Sequence, residues 1–162
     1  MATIAVISQK GGAGKTTLAI HLAAAAHEAG RVALIVDTDP QATASQWAAW
    51  REDRAPEVID SPPPRLAAKV AAARAQGAEL IVIDTPPHAD SAARAAMELA
   101  DLVLIPVQPS PLDGWASAEM LALLAEARIY RPQLVARFAL NRCGARTVIA
   151  RDTAETLADH DP

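Results

Sequence analysis

The sequence predicts an α/β fold with a mostly parallel β-sheet and helices on both of its faces. Short apolar stretches recur along the chain without the polar alternation of a half-exposed strand, and helical stretches separate them. Strands of this kind are buried on both faces, which is typical of a parallel sheet. Polar and glycine-rich motifs follow the strand ends, where such folds bind their ligands.

Turn and breaker residues divide the chain into alternating strands and helices. Gly30 ends the first helix, and three consecutive prolines from Pro62 precede the third. Strands are predicted at 4–7, 32–36, 80–83, 102–107 and 134–140, with a short edge strand at 58–59. Helices are predicted at 16–29, 43–50, 65–76, 91–99, 116–129 and 147–157. Since no closing strand follows the last helix, we expect a chain truncated at its C-terminus.

Length and composition limit the classes of protein to consider. The 162 residues suggest a single domain over 1–162, and an apolar fraction of 51% excludes a disordered chain. A net charge of −4 excludes a globally basic nucleic-acid binder but leaves room for a local basic patch. The single cysteine, Cys143, excludes an internal disulfide and fits a reducing compartment. With no signal peptide and no apolar run of about 20 residues, we expect a cytoplasmic protein that does not enter a membrane.

The segment between the first strand and the first helix has the composition of a phosphate-binding loop. Its glycines let backbone N–H groups turn toward an anion, and the helix that follows adds its positive end. Lys15 can reach the β- and γ-phosphates of a nucleotide, and the Thr16 hydroxyl can ligate Mg²⁺. An ordinary glycine-rich turn is the alternative, and the flanking strand and helix argue against it. The predicted nucleotide-binding residues are Gly11, Gly12, Ala13, Gly14, Lys15, Thr16 and Thr17.

This loop departs from the standard pattern at one position and carries an additional lysine. The standard pattern places a glycine five residues before Gly14, where this chain has Gln9. Lys10 follows it as a second lysine, and taken alone it would be read as a solvated residue at a strand end.

Polar side chains at other strand ends extend the predicted site. Asp37 and Asp39 follow the strand at 32–36 and Asp84 follows the strand at 80–83, where carboxylates can face a metal ion and an attacking water. Helix caps or turn residues are the alternative interpretation. Asn141 ends the last strand, where its amide could read a base. The absence of an Asn-Lys-x-Asp pattern after it favours adenine over guanine.

One segment of this acidic chain is entirely positive. No acidic residue lies between Ala127 and Arg151, so this segment could contact DNA phosphates. A solvated surface is the alternative. The arginines are Arg128, Arg131, Arg137, Arg142, Arg146 and Arg151.

These motifs together resemble a known family. The octapeptide from Lys10 to Thr17 looks like the deviant Walker A motif of the ParA/MinD ATPases, a class of P-loop NTPases. The segment Asp37-Thr38-Asp39-Pro40-Gln41 resembles the second motif of the ParA branch, and Asp84-Thr85-Pro86-Pro87 resembles its Walker B region. The stretch from Asp101 to Asp113 resembles small plasmid-partition ATPases of the ParF type.

The resemblance implies a role for each matching residue. Lys10 corresponds to the signature lysine, which reaches the nucleotide of the other subunit in an ATP-bound dimer. Lys15 corresponds to the phosphate-loop lysine, Thr16 to the Mg²⁺ ligand, and Asp39 to the group that positions the attacking water. Lys10, Lys15 and Asp39 are therefore the predicted catalytic residues.

The remaining residues surround the metal and the base. Asp37 and Asp84 correspond to groups around Mg²⁺, so that the predicted metal site comprises Thr16, Asp37 and Asp84. Asn141 occupies the place where a contact with adenine is expected.

The leading hypothesis is a weak ATPase that segregates plasmid or chromosomal DNA. The resemblance implies a homodimer with ATP, non-specific binding to nucleoid DNA, and stimulation by a centromere-binding, ParB-like protein. The absence of an N-terminal helix-turn-helix argues against operator binding.

One alternative is a related ATPase that positions a protein cargo. A MinD-like membrane regulator would need an amphipathic helix, and 147–157 has few large apolar residues. A P-loop ligase or kinase would need a substrate pocket that no motif indicates.

Overall fold

The structure is a computed structural model that describes residues 1–51, 55–144 and 147–158, without the side chains of 111–117. Strands and helices alternate along these residues, as the apolar pattern predicts. The strands are β1 (Ala2–Val6), β2 (Ala33–Asp37), β3 (Glu57–Asp60), β4 (Leu80–Asp84), β5 (Leu102–Val107) and β6 (Val135–Leu140). The helices are α1 (Lys15–Glu28), α2 (Thr43–Ala49), α3 (Leu66–Ala75), α4 (Asp90–Leu99), α5 (Pro111–Tyr130) and α6 (Val148–Ala158).

The six strands form one parallel sheet in the order β3-β2-β4-β1-β5-β6. This confirms the predicted fold class, including the short edge strand β3. The register sets Val6 of β1 and Asp37 of β2 on either side of Asp84 in β4. Because all strands run the same way, the loops that follow β1, β2 and β4 leave the sheet at one edge.

Helix boundaries agree with the prediction except at the start of α5. The sequence pattern places that start at residue 116, after two prolines, whereas α5 begins at Pro111. Proline is compatible with the first turn of a helix, because the first N–H groups have no partner within the helix. Pro111 therefore starts the helix instead of interrupting it.

The two faces of the sheet are packed differently. On one face, α3, α4 and α5 contribute large side chains that include Leu66, Met97 and Leu124. On the other face, α1 contributes Ala19 and Ala23, both fully buried. Alanine lets a helix backbone approach a sheet closely, so α1 and the loop before it lie near the strand ends. No helix within the described residues combines the length and the apolarity needed to cross a membrane.

We expect Ile83→Ala to lower the free energy of unfolding by about 2–5 kcal/mol, as large-to-small changes in cores do. Ile83 is fully buried in the central strand β4, and its loss would leave a cavity next to the site-bearing strand end. Urea unfolding followed by circular dichroism would measure the change. Val32→Ala is the matched control, because the Val32 side chain is 56% exposed and its truncation should change stability by less than about 0.5 kcal/mol. Equal effects of both substitutions would contradict this description of the core.

Candidate nucleotide-binding site

The loop between β1 and α1 has the backbone geometry of an anion-binding loop. Gly12 and Gly14 have φ values of +75° and +97°, in the left-handed region that favours glycine. A Cβ atom on Gly14 would also clash with Nδ2 of Asn141. Among the described side chains, none caps the N-terminus of α1, and the first turn has no acidic residue. The helix therefore offers free N–H groups and its positive end to an anion.

Lys15 lies at the start of α1 with its side chain almost completely buried. Its ammonium group donates a hydrogen bond to the carbonyl oxygen of Lys10 at 3.0 Å. Burial lowers the pKa of Lys15, and the negative charges of Asp84 and Asp39 partly oppose that shift. The lysine and both aspartates are thus close enough to interact electrostatically.

Asp84 is completely buried at the end of β4. Neither of its carboxylate oxygens makes a hydrogen bond within the described residues. Burial raises the pKa of Asp84 to about 7, although the nearby Thr16 hydroxyl and Lys15 act in the opposite direction. A buried carboxylate that its neighbours satisfy so poorly is costly, and a hard cation with oxygen ligands would satisfy it.

The donor set around Asp84 fits Mg²⁺ better than a metal bound by the protein alone. The described residues contain no group of three or more His, Cys, Asp or Glu side chains that could hold a metal. Mg²⁺ in nucleotide sites typically keeps several waters and binds one or two carboxylates together with phosphate oxygens. The half-buried Thr16 and the buried Asp84 would supply the protein side of such a site.

Asp37 organises the loop that follows β2. Its Oδ1 accepts the backbone N–H of Asp39 at 3.0 Å, and its Oδ2 accepts the N–H groups of Ala44 and Ser45 at 3.1 and 3.4 Å. Burial raises the pKa of Asp37, while these backbone hydrogen bonds act in the opposite direction. Asp37 therefore stabilises the first turn of α2 and the backbone of Asp39. Its predicted place around the metal remains a prediction.

Asp39 lies at the mouth of the site and is partly exposed. Its Oδ1 accepts the backbone N–H of Gln41 at 2.9 Å, which closes a tight turn. A cavity of about 290 Å³ adjoins it, lined in part by Pro40, Ser61 and Pro62. The carboxylate therefore borders a cavity between the loops that follow β2 and β3. Its predicted work on an attacking water stays a prediction.

Asn141 contacts the phosphate loop directly. Its Nδ2 donates to the carbonyl oxygen of Ala13 at 2.9 Å, and its Oδ1 accepts the backbone N–H of Arg142 at the same distance. Both ends of the amide are thus engaged within the chain. The contact with adenine that the resemblance implies remains a prediction.

The structure adds two glutamines that the sequence analysis did not assign to the site. Gln108, which follows β5, donates from Nε2 to the carbonyl oxygen of Gly12 at 2.7 Å. Gln9 is buried and donates from Nε2 to Oδ1 of Asp90 at 2.6 Å, linking the loop to the start of α4. The available signal was a polar residue directly after an apolar strand for Gln108, and one two residues after the predicted strand 4–7 for Gln9. The sequence could not show which backbone group each carboxamide meets.

Two threonines connect the strand ends behind the loop. The Thr38 hydroxyl donates to the carbonyl oxygen of Asp84 at 2.7 Å, and the Thr85 hydroxyl donates to that of Val6 at 2.9 Å. Both threonines are buried. They hold the ends of β1, β2 and β4 together, so that the loops after these strands begin from fixed points.

The arginine-rich segment is divided among several surroundings. Arg131 donates to two backbone carbonyl oxygens at the end of α4, at 3.2 and 2.6 Å. Arg151 lies beside carboxylates of its own helix. Arg137 within β6 and Arg142 after it are exposed, although Arg137 also donates to the carbonyl oxygen of Ala136 at 2.7 Å. Arg146 lies outside the described residues. Several arginines of the predicted basic patch therefore make contacts within the chain.

One groove between the C-terminal ends of α4 and α5 lies away from the phosphate loop. It encloses about 450 Å³ and is lined in part by Met97, Ala127 and Tyr130. These residues belong to the C-terminal ends of two helices that run antiparallel to the strands, so the groove opens at the opposite edge of the sheet. We therefore place the candidate site at the loop and not at this groove.

We expect Asp84→Asn to stabilise the nucleotide-free protein at pH 8. An aspartate in an unfolded chain ionises near pH 4, whereas Asp84 stays protonated until about pH 7. The loss of folding stability caused by ionising the buried Asp84 is therefore absent below about pH 4. It grows between about pH 4 and 7 and reaches its full value above about pH 7. Because each pKa unit corresponds to about 1.4 kcal/mol, the gain is at most about 4 kcal/mol. Thermal melts at pH 4 and pH 8 would measure it.

The same substitution should reduce the additional stabilisation that Mg²⁺ and ADP provide together, because the amide is a weaker ligand for a hard cation. Asp152→Asn is the matched control, since the Asp152 side chain is 59% exposed and its charge carries no burial cost. A melting temperature at pH 8 that falls in Asp84→Asn would contradict the unsatisfied state of this carboxylate.

Comparison with known proteins gives the same picture over nearly the whole chain. Residues 4–161 match the family model described as the CobQ/CobB/MinD/ParA nucleotide binding domain. The chain is 35% identical over 158 residues to the Maintenance of carboxysome distribution protein A of Halothiobacillus neapolitanus. That alignment covers 96% of this chain and 73% of the relative. It is also 33% identical over 129 residues to Protein ParA of Rhizobium radiobacter. This second alignment covers 78% of this chain and 57% of that relative.

The fold also has counterparts among solved structures. The cobyrinic acid a,c-diamide synthase of Mycobacterium smegmatis, solved with bound ADP and magnesium, superposes with a TM-score of 0.80. That alignment covers 99% of this chain and 82% of the synthase at 22% identity, a level that shows the fold alone. The family-model match over residues 4–161 and the deviant phosphate loop assign the chain to a family and not only to a fold. The chain belongs to the CobQ/CobB/MinD/ParA family of nucleotide-binding domains.

Proposed function

We propose that this chain is a ParA-like ATPase, a single P-loop domain over 1–162 that binds ATP or ADP with Mg²⁺. The observation that carries the proposal is the buried carboxylate of Asp84, whose two oxygens are left unsatisfied by the described residues although Thr16 and Lys15 lie beside it. A site built in this way is incomplete without a phosphate group and a cation. The nucleotide supplies the first and Mg²⁺ the second.

The proposed reaction is hydrolysis of ATP by water. The oxygen of water attacks the γ-phosphorus, the bond to the β–γ bridging oxygen breaks, and ADP and inorganic phosphate leave. Mg²⁺ would offset negative charge on the phosphate oxygens. Lys15 holds a positive charge at the loop, and Asp39 at the mouth of the site orients the water and accepts hydrogen bonds from it. The predicted contact of Asn141 with adenine completes nucleotide binding.

We further propose that two copies complete one another's sites. Lys10 lies at the loop entrance and is only partly buried, while its carbonyl oxygen is held by Lys15. The position suits a lysine that reaches outward to the nucleotide of a second copy. Such a dimer would form with ATP and separate after hydrolysis, which makes it a switch with slow basal turnover in the cytoplasm.

The cargo is the point on which the relatives differ. The similarity of 35% identity over 158 residues to a protein named for carboxysome distribution favours a protein assembly as the cargo. The similarity of 33% identity over 129 residues to Protein ParA favours DNA partition as the second candidate. In both cases we propose an ATP-bound dimer that associates with nucleoid DNA. The partner would be an adaptor on the protein cargo in the first case, and a ParB-like, centromere-binding protein in the second.

Substitution of the two predicted catalytic residues should separate dimer formation from hydrolysis. We expect Lys10→Ala to abolish both the ATP-dependent dimer and ATP hydrolysis, because it removes the group that crosses to the second copy. Asp39→Ala should bind ATP and dimerise but lose at least about tenfold in hydrolysis, as removal of a general base does. Light scattering and phosphate release would provide the two measurements.

Lys69→Ala is the control for Lys10, because Lys69 is an exposed lysine on α3, away from the loop. A Lys10→Ala protein that dimerises and hydrolyses ATP like the Lys69→Ala protein would show that the proposed switch is wrong.

DNA binding should depend on ATP and on the exposed arginines within and just after β6. We expect the double variant Arg137→Ala, Arg142→Ala to bind random-sequence DNA more weakly than wild type. Its affinity should also fall less steeply with salt, by about 0.9 in logarithmic slope for each phosphate that an arginine no longer neutralises. Fluorescence anisotropy with Mg²⁺-ATP between about 50 and 200 mM salt would measure both. Arg31→Ala is the control, since Arg31 is exposed and pairs with Glu79. An unchanged slope in the double variant would place DNA on another surface.

A further inference from the structure

Three side chains donate hydrogen bonds to carbonyl oxygens of the phosphate loop, one from the loop itself and two from distant parts of the chain. Lys15 donates to the carbonyl oxygen of Lys10 at 3.0 Å, Gln108 to that of Gly12 at 2.7 Å, and Asn141 to that of Ala13 at 2.9 Å. Lys15 and Asn141 belong to the site that the sequence predicts. Gln108 has no assigned role.

Each of these hydrogen bonds fixes the direction of one peptide plane. A trans peptide is planar, so the N–H of the following residue points opposite to the carbonyl. When Gln108 holds the carbonyl of Gly12, the N–H of Ala13 points away from Gln108. When Asn141 holds the carbonyl of Ala13, the N–H of Gly14 is fixed in the same manner.

The loop needs this support because its own residues provide little. Gly12 and Gly14 have φ values of +75° and +97°, and glycine loses more conformational freedom on ordering than any other residue. Gly11 and Gly12 are exposed, and an added Cβ at either would meet no atom within 4 Å. The outward carbonyl of Gly12 is thus fixed by the Gln108 carboxamide and not by packing.

The backbone of Gln108 is restrained on both sides of the residue. It directly follows β5, and the backbone N–H of Ser110 donates to its carbonyl oxygen at 2.8 Å. Pro109 restricts the backbone of the residue before it to extended conformations. The side chain of Gln108 therefore starts from a defined backbone at the same sheet edge as the loop.

We propose that Gln108 is a positioning residue for nucleotide binding, which holds the Gly12–Ala13 peptide with its N–H free for a phosphate oxygen before the nucleotide arrives. This inference rests on the proposed function, because it assumes that the loop binds a nucleotide. Gln108 does not touch the nucleotide and contributes by reducing the ordering that binding requires.

The test uses two substitutions in the full chain. Gln108→Ala removes the side chain, and Gln108→Met keeps its length but has no N–H to donate. Gln46→Ala is the matched control, because the Gln46 carboxamide also donates to a backbone carbonyl, that of Gln41, at 3.0 Å. The measurements are hydrogen exchange of the amides of 11–14 without nucleotide, the affinity for fluorescent ADP with Mg²⁺, and KM and kcat for ATP.

We expect both Gln108 variants to bind ADP about three- to tenfold more weakly, which corresponds to the loss of one hydrogen bond. Amides of the loop should exchange faster in the nucleotide-free protein, and KM should rise while kcat at saturating ATP stays within about twofold. The melting temperature without nucleotide and the exchange in β5 should equal those of wild type.

Other outcomes would overturn the assignment. ADP affinity and loop exchange equal to those of Gln46→Ala would show that the hydrogen bond does no positioning. A lower melting temperature with faster exchange throughout β5 would show a general structural role, and a lowered kcat at unchanged affinity would place Gln108 in the chemical step. Failure of the wild type to bind ADP would refute the proposed function instead. A wild type that binds ADP but does not dimerise would leave the Gln108 test intact.

Discussion

The parallel pairing of β4 between β1 and β2 is the constraint on which the site depends. It aligns Val6, Asp84 and Asp37 in one row across the sheet. Loops that are far apart in the chain consequently begin side by side, one carrying the glycines and the others carrying carboxylates. Buried threonine hydroxyls fasten these strand ends to one another. The fold thus brings a positive loop and negative side chains together before any ligand is present.

This arrangement concentrates opposing charges where water is excluded. Burial shifts the pKa of Lys15 downward and that of Asp84 upward, so both charges are disfavoured in the nucleotide-free protein. The carbonyl oxygen of Lys10 provides a partner for the lysine, whereas the oxygens of Asp84 make no hydrogen bond within the described residues. Burial of these groups therefore lowers the stability of the nucleotide-free protein, and a bound phosphate and cation would remove that destabilisation. That imbalance is the physical reason to interpret the loop as a nucleotide site and not as an ordinary turn.

The surroundings of the loop also connect it to the rest of the fold. Gln9 joins it to the start of α4 and Gln108 joins it to the strand that leads into α5, while Asn141 joins it to the end of β6. A change in the loop conformation on nucleotide binding would alter these three hydrogen bonds. Such connections suit a protein that has to report its nucleotide state to a second copy, to DNA or to a cargo.

The sequence by itself determined the alternation of strands and helices, the parallel sheet and the phosphate loop, because apolar runs and glycine spacing are local signals. It also selected Asp37, Asp39 and Asp84, since polar residues at the ends of buried strands must leave the sheet at its ligand-binding edge. Only the tertiary structure decided what each side chain contacts: Asp37 stabilises the turn into α2, Asp84 is buried beside Thr16 and Lys15, and Asn141 and Gln108 hold the loop. These contacts join residues as much as 128 positions apart. Their geometry depends on strand order and register, which no local pattern of residues specifies.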